Sequence, residues 1–242
     1  MESILPSNSI LILQPRRWFV LSAGKSFNLY QGYPIVDATK STTPTLSKQA
    51  EQYRYVKRIM DLVLSLVGIV LAVPIIVVFA ILIVIETPGS PFYVQERVGK
   101  AGRRFLIIKL RSMKKDAEKN GAIWAAVNDC RVTRVGAIIR KTRIDELPQL
   151  LSVLKGDMSM IGPRPERPIF VEQFNREIQG FEHRLLVKPG LTGLAQVCGG
   201  YDISPEEKLK YDLEYIQTLS FKLELKILLK TIKVVVTGEG AR

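Results

Sequence analysis

Histidine is almost missing from this chain of 242 residues, which has only His183. A histidine-ligated metal cluster is therefore disfavoured, and a Ser-His-Asp triad would rest on that one residue. Its setting, "FEHRLLVKPG", reads as surface or structural. Cysteine is scarce as well. Cys130 and Cys198 are too few and too far apart for a disulfide framework or a zinc site, and they read as free thiols in a reducing compartment. Acidic residues run short against basic ones: 23 Asp and Glu face 35 Lys and Arg, a net charge of +12. Such an excess points to an anionic partner, whether nucleic acid, a membrane surface or phosphorylated substrates. Nucleic acid is the weakest of these, because the basic residues are spread along the chain without a readable docking motif.

Charge itself is absent from Leu62 to Ile85, inside "IMDLVLSLVGIVLAVPIIVVFAILIVI". As a helix this charge-free run would cover ~36 Å, enough for a hydrocarbon core of ~30 Å. It lies too deep in the chain and is too long for a signal peptide, and it lacks a small-residue cleavage site. Pro74 near its middle removes a backbone donor and favours a bend. Both flanks are basic: Arg54, Lys57 and Arg58 precede the run, and Arg97, Lys100, Arg103 and Arg104 follow it. A re-entrant helix keeps both clusters on the cytoplasmic side, whereas a span leaves one outside. Proline also occurs in spanning helices, so the residues alone leave both topologies open. Asp61 at the entrance is either an interfacial residue or a polar contact beneath the bend.

The chain divides into an N-terminal extension and linker (1–50), a membrane region (51–88) and a C-terminal domain (89–242). In the extension, "NSILILQPRRWFVLSAG" suits a short strand or interfacial segment, and "DATKSTTPTLSKQAEQ" a polar linker. Beyond the break at Thr87–Pro91, "FYVQERV" and "RRFLIIKLRSM" alternate around "GKAG", which predicts a β-hairpin. "MKKDAEKNGA" suggests a helix ending at Asn120-Gly121. "DELPQLLSVLKG" predicts another, with Leu147, Leu150, Leu151 and Leu154 on one face, Pro148 in the first turn and Gly156 as the stop. "SPEEKLKYDLEYIQTL" opens with Ser204 as N-cap and Glu207 three residues on. In "FKLELKILLKTIKVVV", Leu225, Leu228, Leu229, Ile232 and Val236 share one face, and Lys222, Lys226, Lys230 and Lys233 crowd another. That pattern suits either a membrane surface or core packing with a solvated lysine face.

The adjacent carboxylates Asp145 and Glu146 could simply open a helix, since Asp caps well and Glu in the first turn suits the dipole. Their surroundings suggest more. Arg131, Arg134, Arg140, Lys141 and Arg143 cluster upstream, and Arg164 is held between two prolines in "GPRP". Arginine suits bidentate phosphate recognition. A carboxylate among arginines can act as an anionic nucleophile, or as a ligand for Mg²⁺ bridging phosphates.

Taken together, "KRIMDLVLSLVGIVLAVPI", "ERVGKAGRRFLIIKLRSM", "RKTRIDELPQLLSVLKGDMSMIGPRP", "VKPGLTGLAQVCG" and "KLKYDLEYIQTLSFKLELKILLKT" resemble the bacterial sugar transferases, the monotopic polyprenyl-phosphate phosphoglycosyl transferases. The resemblance runs from about Tyr53 to the C-terminus. It implies a small α+β, mostly helical catalytic domain with a Pro-bent re-entrant membrane helix, a β-hairpin and amphipathic interfacial helices. It implies an enzyme on the cytoplasmic face of the bacterial inner membrane. Such enzymes move a sugar 1-phosphate from a UDP-sugar to undecaprenyl phosphate, releasing UMP and starting a surface glycan. The family's ping-pong route makes Asp145 the nucleophile and Glu146 an acid/base partner. Arg140, Arg164 and Lys109 match phosphate- or nucleotide-binding positions, Mg²⁺ is the implied metal with Asp145 as its ligand, and Pro74 matches the bend. Two positions depart from the pattern: Val73 where serine is common before the proline, and Cys198 where asparagine is usual. Glucose, galactose and N-acetylated or deoxyamino sugars all fit the sequence, and a homo-oligomer stays open. The contrasting reading is a non-catalytic basic membrane adaptor for anionic lipids or a partner protein. It leaves "DELPQ", "GPRP" and "GLTGLAQV" unexplained.

Overall fold

The computed structural model describes residues 48–117, 119, 129–199 and 203–237. The segment expected as a strand or interfacial piece, most of the linker after it, and the Asn120-Gly121 helix end lie outside the described residues. Within them the chain is α+β and mostly helical.

Helix α1, Lys48–Glu86, holds the whole apolar run, with Pro74 inside it. It begins within the stretch read as linker, because "KQAEQ" consists of good helix formers that extend an already nucleated helix. One stripe of α1 is buried: Asp61, Ser65, Ala72 and Ile83. Gly68 shares that face, and a Cβ added there would lie 3.2 Å from Leu150 Cδ1. The small side chains of Ser65, Gly68 and Ala72 let α1 approach the domain closely. Its other faces are apolar and bare, among them Leu66, Val70, Val77 and Ile85. Most of its apolar surface is bare, unlike the core helix of a soluble fold, and it is long and apolar enough to cross a membrane.

Both ends of α1 dock on the same body. Near the start, Arg58 donates to Val153 O (2.8 Å) and Leu154 O (2.9 Å). Asp61 accepts from Ser159 Oγ and Met160 N, each at 2.9 Å, which makes it a buried polar contact. At the far end Glu86 accepts from the backbone N–H of Arg134 (2.7 Å) and Val135 (3.0 Å).

The hairpin pairs β1, Phe92–Val98, with β2, Arg104–Leu110. The turn uses positive φ at Ala101 (54°) and Gly102 (76°). The register sets Tyr93, Gln95 and Arg97 opposite Lys109, Ile107 and Phe105, so these six share one face. Phe105 and Ile107 pack against Val153 and Met158. Lys109, two residues further along the same face, is thereby carried to the carboxylate segment.

The helix expected in "MKKDAEKNGA" is instead a Met113–Val132 bridge followed by turns, as far as the described residues go. A short polar segment without an apolar stripe has no packing to offset helix nucleation. Helix α2, Arg134–Lys141, is capped by Thr133, which accepts from Gly136 N at 2.9 Å. A Cβ on Gly136 would come within 1.9 Å of Ser112 O, so only glycine fits. Arg143 then takes a left-handed conformation (φ 60°) and opens a 3₁₀ turn, Ile144–Gln149, that holds Pro148. Helix α3, Leu150–Lys155, follows and stops at Gly156 (φ 95°). The one regular helix expected here is thus two. The tighter 3₁₀ winding shifts the face: Leu150 and Val153 are buried while Leu151 is exposed.

Strand β3, Ser159–Ile161, pairs in parallel with β4, Gly190–Thr192, a ladder too short for sequence alternation to reveal. Between them lie α4, Pro168–Glu177, and a 3₁₀ segment, Phe181–Leu186. After β4 come α5, Leu194–Cys198, α6, Pro205–Gln217, and α7, Phe221–Thr237. The capping box at Ser204 and Glu207 is formed. Ile161, Leu194, Tyr215, Ile216, Leu219 and Ile227 make one core cluster. Helix α7 buries Glu224 and Ile227 and leaves Phe221, Leu225, Leu229, Ile232 and Val235 bare, the unpartnered stripe expected of an interfacial amphipathic helix.

Candidate active site

Four backbone segments bring the sequence-predicted residues to one cavity of about 480 Å³. The inward face of β2 supplies Lys109. The last turn of α2 supplies Arg140, and the 3₁₀ turn beyond it supplies Asp145 and Glu146. The loop after β3 supplies Arg164. All five line the cavity. Of the upstream cluster, Arg131 and Arg143 join them, whereas Arg134 and Lys141 are exposed outside it.

The two carboxylates are both 8% exposed, yet their settings differ. Glu146 is held by Lys109 Nζ at 2.8 Å and by both terminal nitrogens of Arg164. Burial pushes its pKa up, but Arg164 and Lys109 outweigh that and hold it well below the usual carboxylate range. Asp145 carries no side-chain hydrogen bond or ion pair among the described residues. Burial, and then the negative charge of Glu146, raise its pKa to about 6 against the pull of Lys109, Arg164 and Arg140. The Arg140 side chain is half-buried and likewise has no ion pair among the described residues. The cavity therefore holds a carboxylate oxygen and a guanidinium that are both available to a ligand. Neither carboxylate caps the 3₁₀ turn, since the N-cap is Arg143 and its side chain makes no capping bond.

Arg164 owes its place to its loop. Pro163 O accepts from Gly190 N (2.9 Å), Arg164 O from Arg184 Nη2 (2.9 Å) and Pro165 O from Arg97 Nη1 (2.9 Å). Three consecutive carbonyls are thus tied down. With both flanking φ angles fixed by proline rings, little freedom remains.

A family model described as bacterial sugar transferase matches residues 52–238. The chain belongs to the bacterial sugar transferases. A Bacillus subtilis relative, named as a candidate undecaprenyl-phosphate N-acetylgalactosaminyl 1-phosphate transferase, is 56% identical over 165 residues, covering 68% of this chain and 90% of its own length. An Aeromonas hydrophila UDP-N-acetylgalactosamine-undecaprenyl-phosphate N-acetylgalactosaminephosphotransferase is 48% identical over 193 residues, or 78% of this chain. The match spans 46% of that longer protein. A UDP-glucose:undecaprenyl-phosphate glucose-1-phosphate transferase of Caulobacter vibrioides is 40% identical over 190 residues, covering 76% of this chain and 71% of its own. This sugar transferase is therefore a membrane-associated enzyme of the polyprenyl-phosphate class.

Several cavity residues were not singled out by the sequence. Arg97, counted there among the cations flanking the membrane run, is a wall of the cavity within 3.7 Å of Glu166. The hairpin register could have found it, because it shares a face with Lys109. Lys100 and Arg104, counted with it, are exposed at and beside the hairpin turn. Arg184 and Asp212 form a buried ion pair at 2.8 Å on the same wall. Burial raises the Asp212 pKa to about 6 despite Arg184. No local signal marks either residue, because α6 meets the 3₁₀ segment only in the folded state. His183, at 3.9 Å from Glu182, does not line the cavity, and Cys130 and Cys198 are exposed free thiols.

Proposed function

We propose that this sugar transferase moves an N-acetylhexosamine 1-phosphate from a UDP-linked donor to undecaprenyl phosphate, with Asp145 as the covalent nucleophile. The observation that carries the reading is Asp145 itself: a buried carboxylate with no bound donor among the described residues, in a cavity walled by arginines. In the first half-reaction an Asp145 oxygen attacks the phosphorus that bears the sugar. The bond to the UMP oxygen breaks, and UMP leaves with the electron pair. In the second, a phosphate oxygen of undecaprenyl phosphate attacks the same phosphorus, the aspartyl bond breaks, and Asp145 is regenerated. Arg140 and Arg164 stabilise the charge on the transferring group, and Lys109 holds Glu146 beside it. A buried nucleophile with a raised pKa keeps its reactivity once ionised, because few donors must be stripped from it.

Mg²⁺ fits this donor set in a limited way. Among the described residues no three His, Cys, Asp or Glu side chains converge, and Glu146 is already paired. Asp145 would be the protein ligand, with diphosphate oxygens and water completing the shell, as suits a hard cation that keeps its waters. Bound there, the ion would neutralise diphosphate charge.

The choice of sugar follows the two relatives named for N-acetylgalactosamine, at 56% and 48% identity, over the glucose-named one at 40%. A re-entrant course for α1 is supported by its two ends, which both dock on the catalytic body through Arg58 and Asp61 and through Glu86, and the cytoplasmic face by the basic residues that flank the apolar run on both sides.

The test is intact mass after exposure to UDP-sugars with Mg²⁺ and no acceptor, paired with exchange of labelled UMP into the donor. A mass gain of one sugar phosphate, lost in Asp145→Asn, is the expected result. Full exchange in Asp145→Asn would overturn the nucleophile assignment. Preference for UDP-glucose would overturn the sugar.

A further inference from the structure

We propose that the buried Arg184–Asp212 ion pair is a positioning device for Arg164, fixing the guanidinium that meets the donor's phosphates. The inference rests on the assignment of Arg164 to the phosphate site. Arg184 donates to the Arg164 carbonyl at 2.9 Å, and the same nitrogen lies 2.8 Å from Asp212 Oδ2. The Phe181 ring packs against its guanidinium at 4.8 Å. Arg184 is 4% exposed and Asp212 2%, so although both border the cavity they offer a ligand little surface.

A buried ion pair is a weak source of stability, since well-packed apolar side chains of similar volume usually serve as well. An apolar pair could not donate a hydrogen bond to the Arg164 carbonyl. Arg184 can, and the Nη2 that donates to the carbonyl is also the atom nearest the Asp212 carboxylate. Asp212 supplies the counter-charge that lets Arg184 stay buried in that role. The polar chain runs from Asp212 in α6 through Arg184 and Arg164 to Glu146, next to the nucleophile. Removing its far end should loosen the near one.

The experiment is a double-mutant cycle on UDP affinity, by calorimetry on the full chain in nanodiscs. Its variants are Arg164→Ala, the paired swap Arg184→Met/Asp212→Leu, and their combination. The swap leaves no orphaned charge, so it is expected to fold, with thermal unfolding near that of the parent. Asp212→Asn, isosteric, runs the same cycle without a volume change. We expect Arg164→Ala and the swap each to lose on the order of tenfold in affinity. The combination should be no worse than Arg164→Ala alone, a non-additivity that a merely structural role would not give. Unchanged UDP binding in the swap and in Asp212→Asn, or losses that add in the combination, would overturn the positioning role while sparing the reading of Arg164. Unchanged binding in Arg164→Ala would overturn that reading, and this proposal with it.

Discussion

Two buried carboxylates, in different regions of the molecule, meet opposite surroundings. Glu224 of α7 is 1% exposed and saturated: it pairs with Lys57 and accepts from Tyr53 Oη at 2.8 Å and Tyr215 Oη at 2.6 Å. It joins α1, α6 and α7. Asp145, 8% exposed, has nothing bound to either oxygen among the described residues. A carboxylate with its lone pairs filled is a joint. One left bare among cations costs stability and is useful only when a ligand arrives. The contrast separates holding from reacting without reference to any relative.

The sharpest way to break that contrast is to neutralise each carboxylate. Asp145→Asn should lower turnover by at least a thousandfold, on the order seen when a nucleophile is removed, and UMP release would measure it. Glu224→Ala should leave the half-buried Lys57 without its counter-charge and cost at most about 3–5 kcal/mol of stability, seen as a lower unfolding temperature in nanodiscs. The stability effects should differ in sign. Asp145 has its folded pKa raised to about 6, chiefly by burial, from an ordinary 3.8. Its contribution is therefore present below about pH 4 and lost as pH rises through 6. With a chelator present, Asp145→Asn should be more stable than the parent at pH 8, by at most about 3 kcal/mol, and the gap should close towards pH 4. Asp212, raised to about 6 by burial, keeps part of the same slope in both proteins. Ser204→Ala, which pairs with neither carboxylate, should cost about 1 kcal/mol through its lost cap and sets the scale for an ordinary change.

The hairpin could be read from the sequence because alternation and a glycine turn are local signals. The carboxylate pair and Arg164 could be read because their motifs lie close together in the chain. The 3₁₀ turn could not, since Leu147, Leu150, Leu151 and Leu154 satisfy a helical period whether or not the winding is regular. Glu224 is a lone acid in the lysine-rich "FKLELKILLK", and nothing near it announces Lys57. Arg97 looked like a membrane-flanking cation until strand register turned it inward. What escaped is the set of pairings between distant segments, and those pairings fix where the legible residues point.

The docking of α1 constrains how the protein can be made. Lys57 precedes its partner Glu224 by 167 residues, and Asp61 precedes Ser159 by 98. Synthesis from the N-terminus releases the apolar helix first, with those polar groups still unanswered. The helix must reach the bilayer and wait there while the rest of the chain emerges, so the final closure is a late, long-range step. A ribosome stalled before α7 would leave an anchored chain whose Lys57 has not yet met its counter-charge.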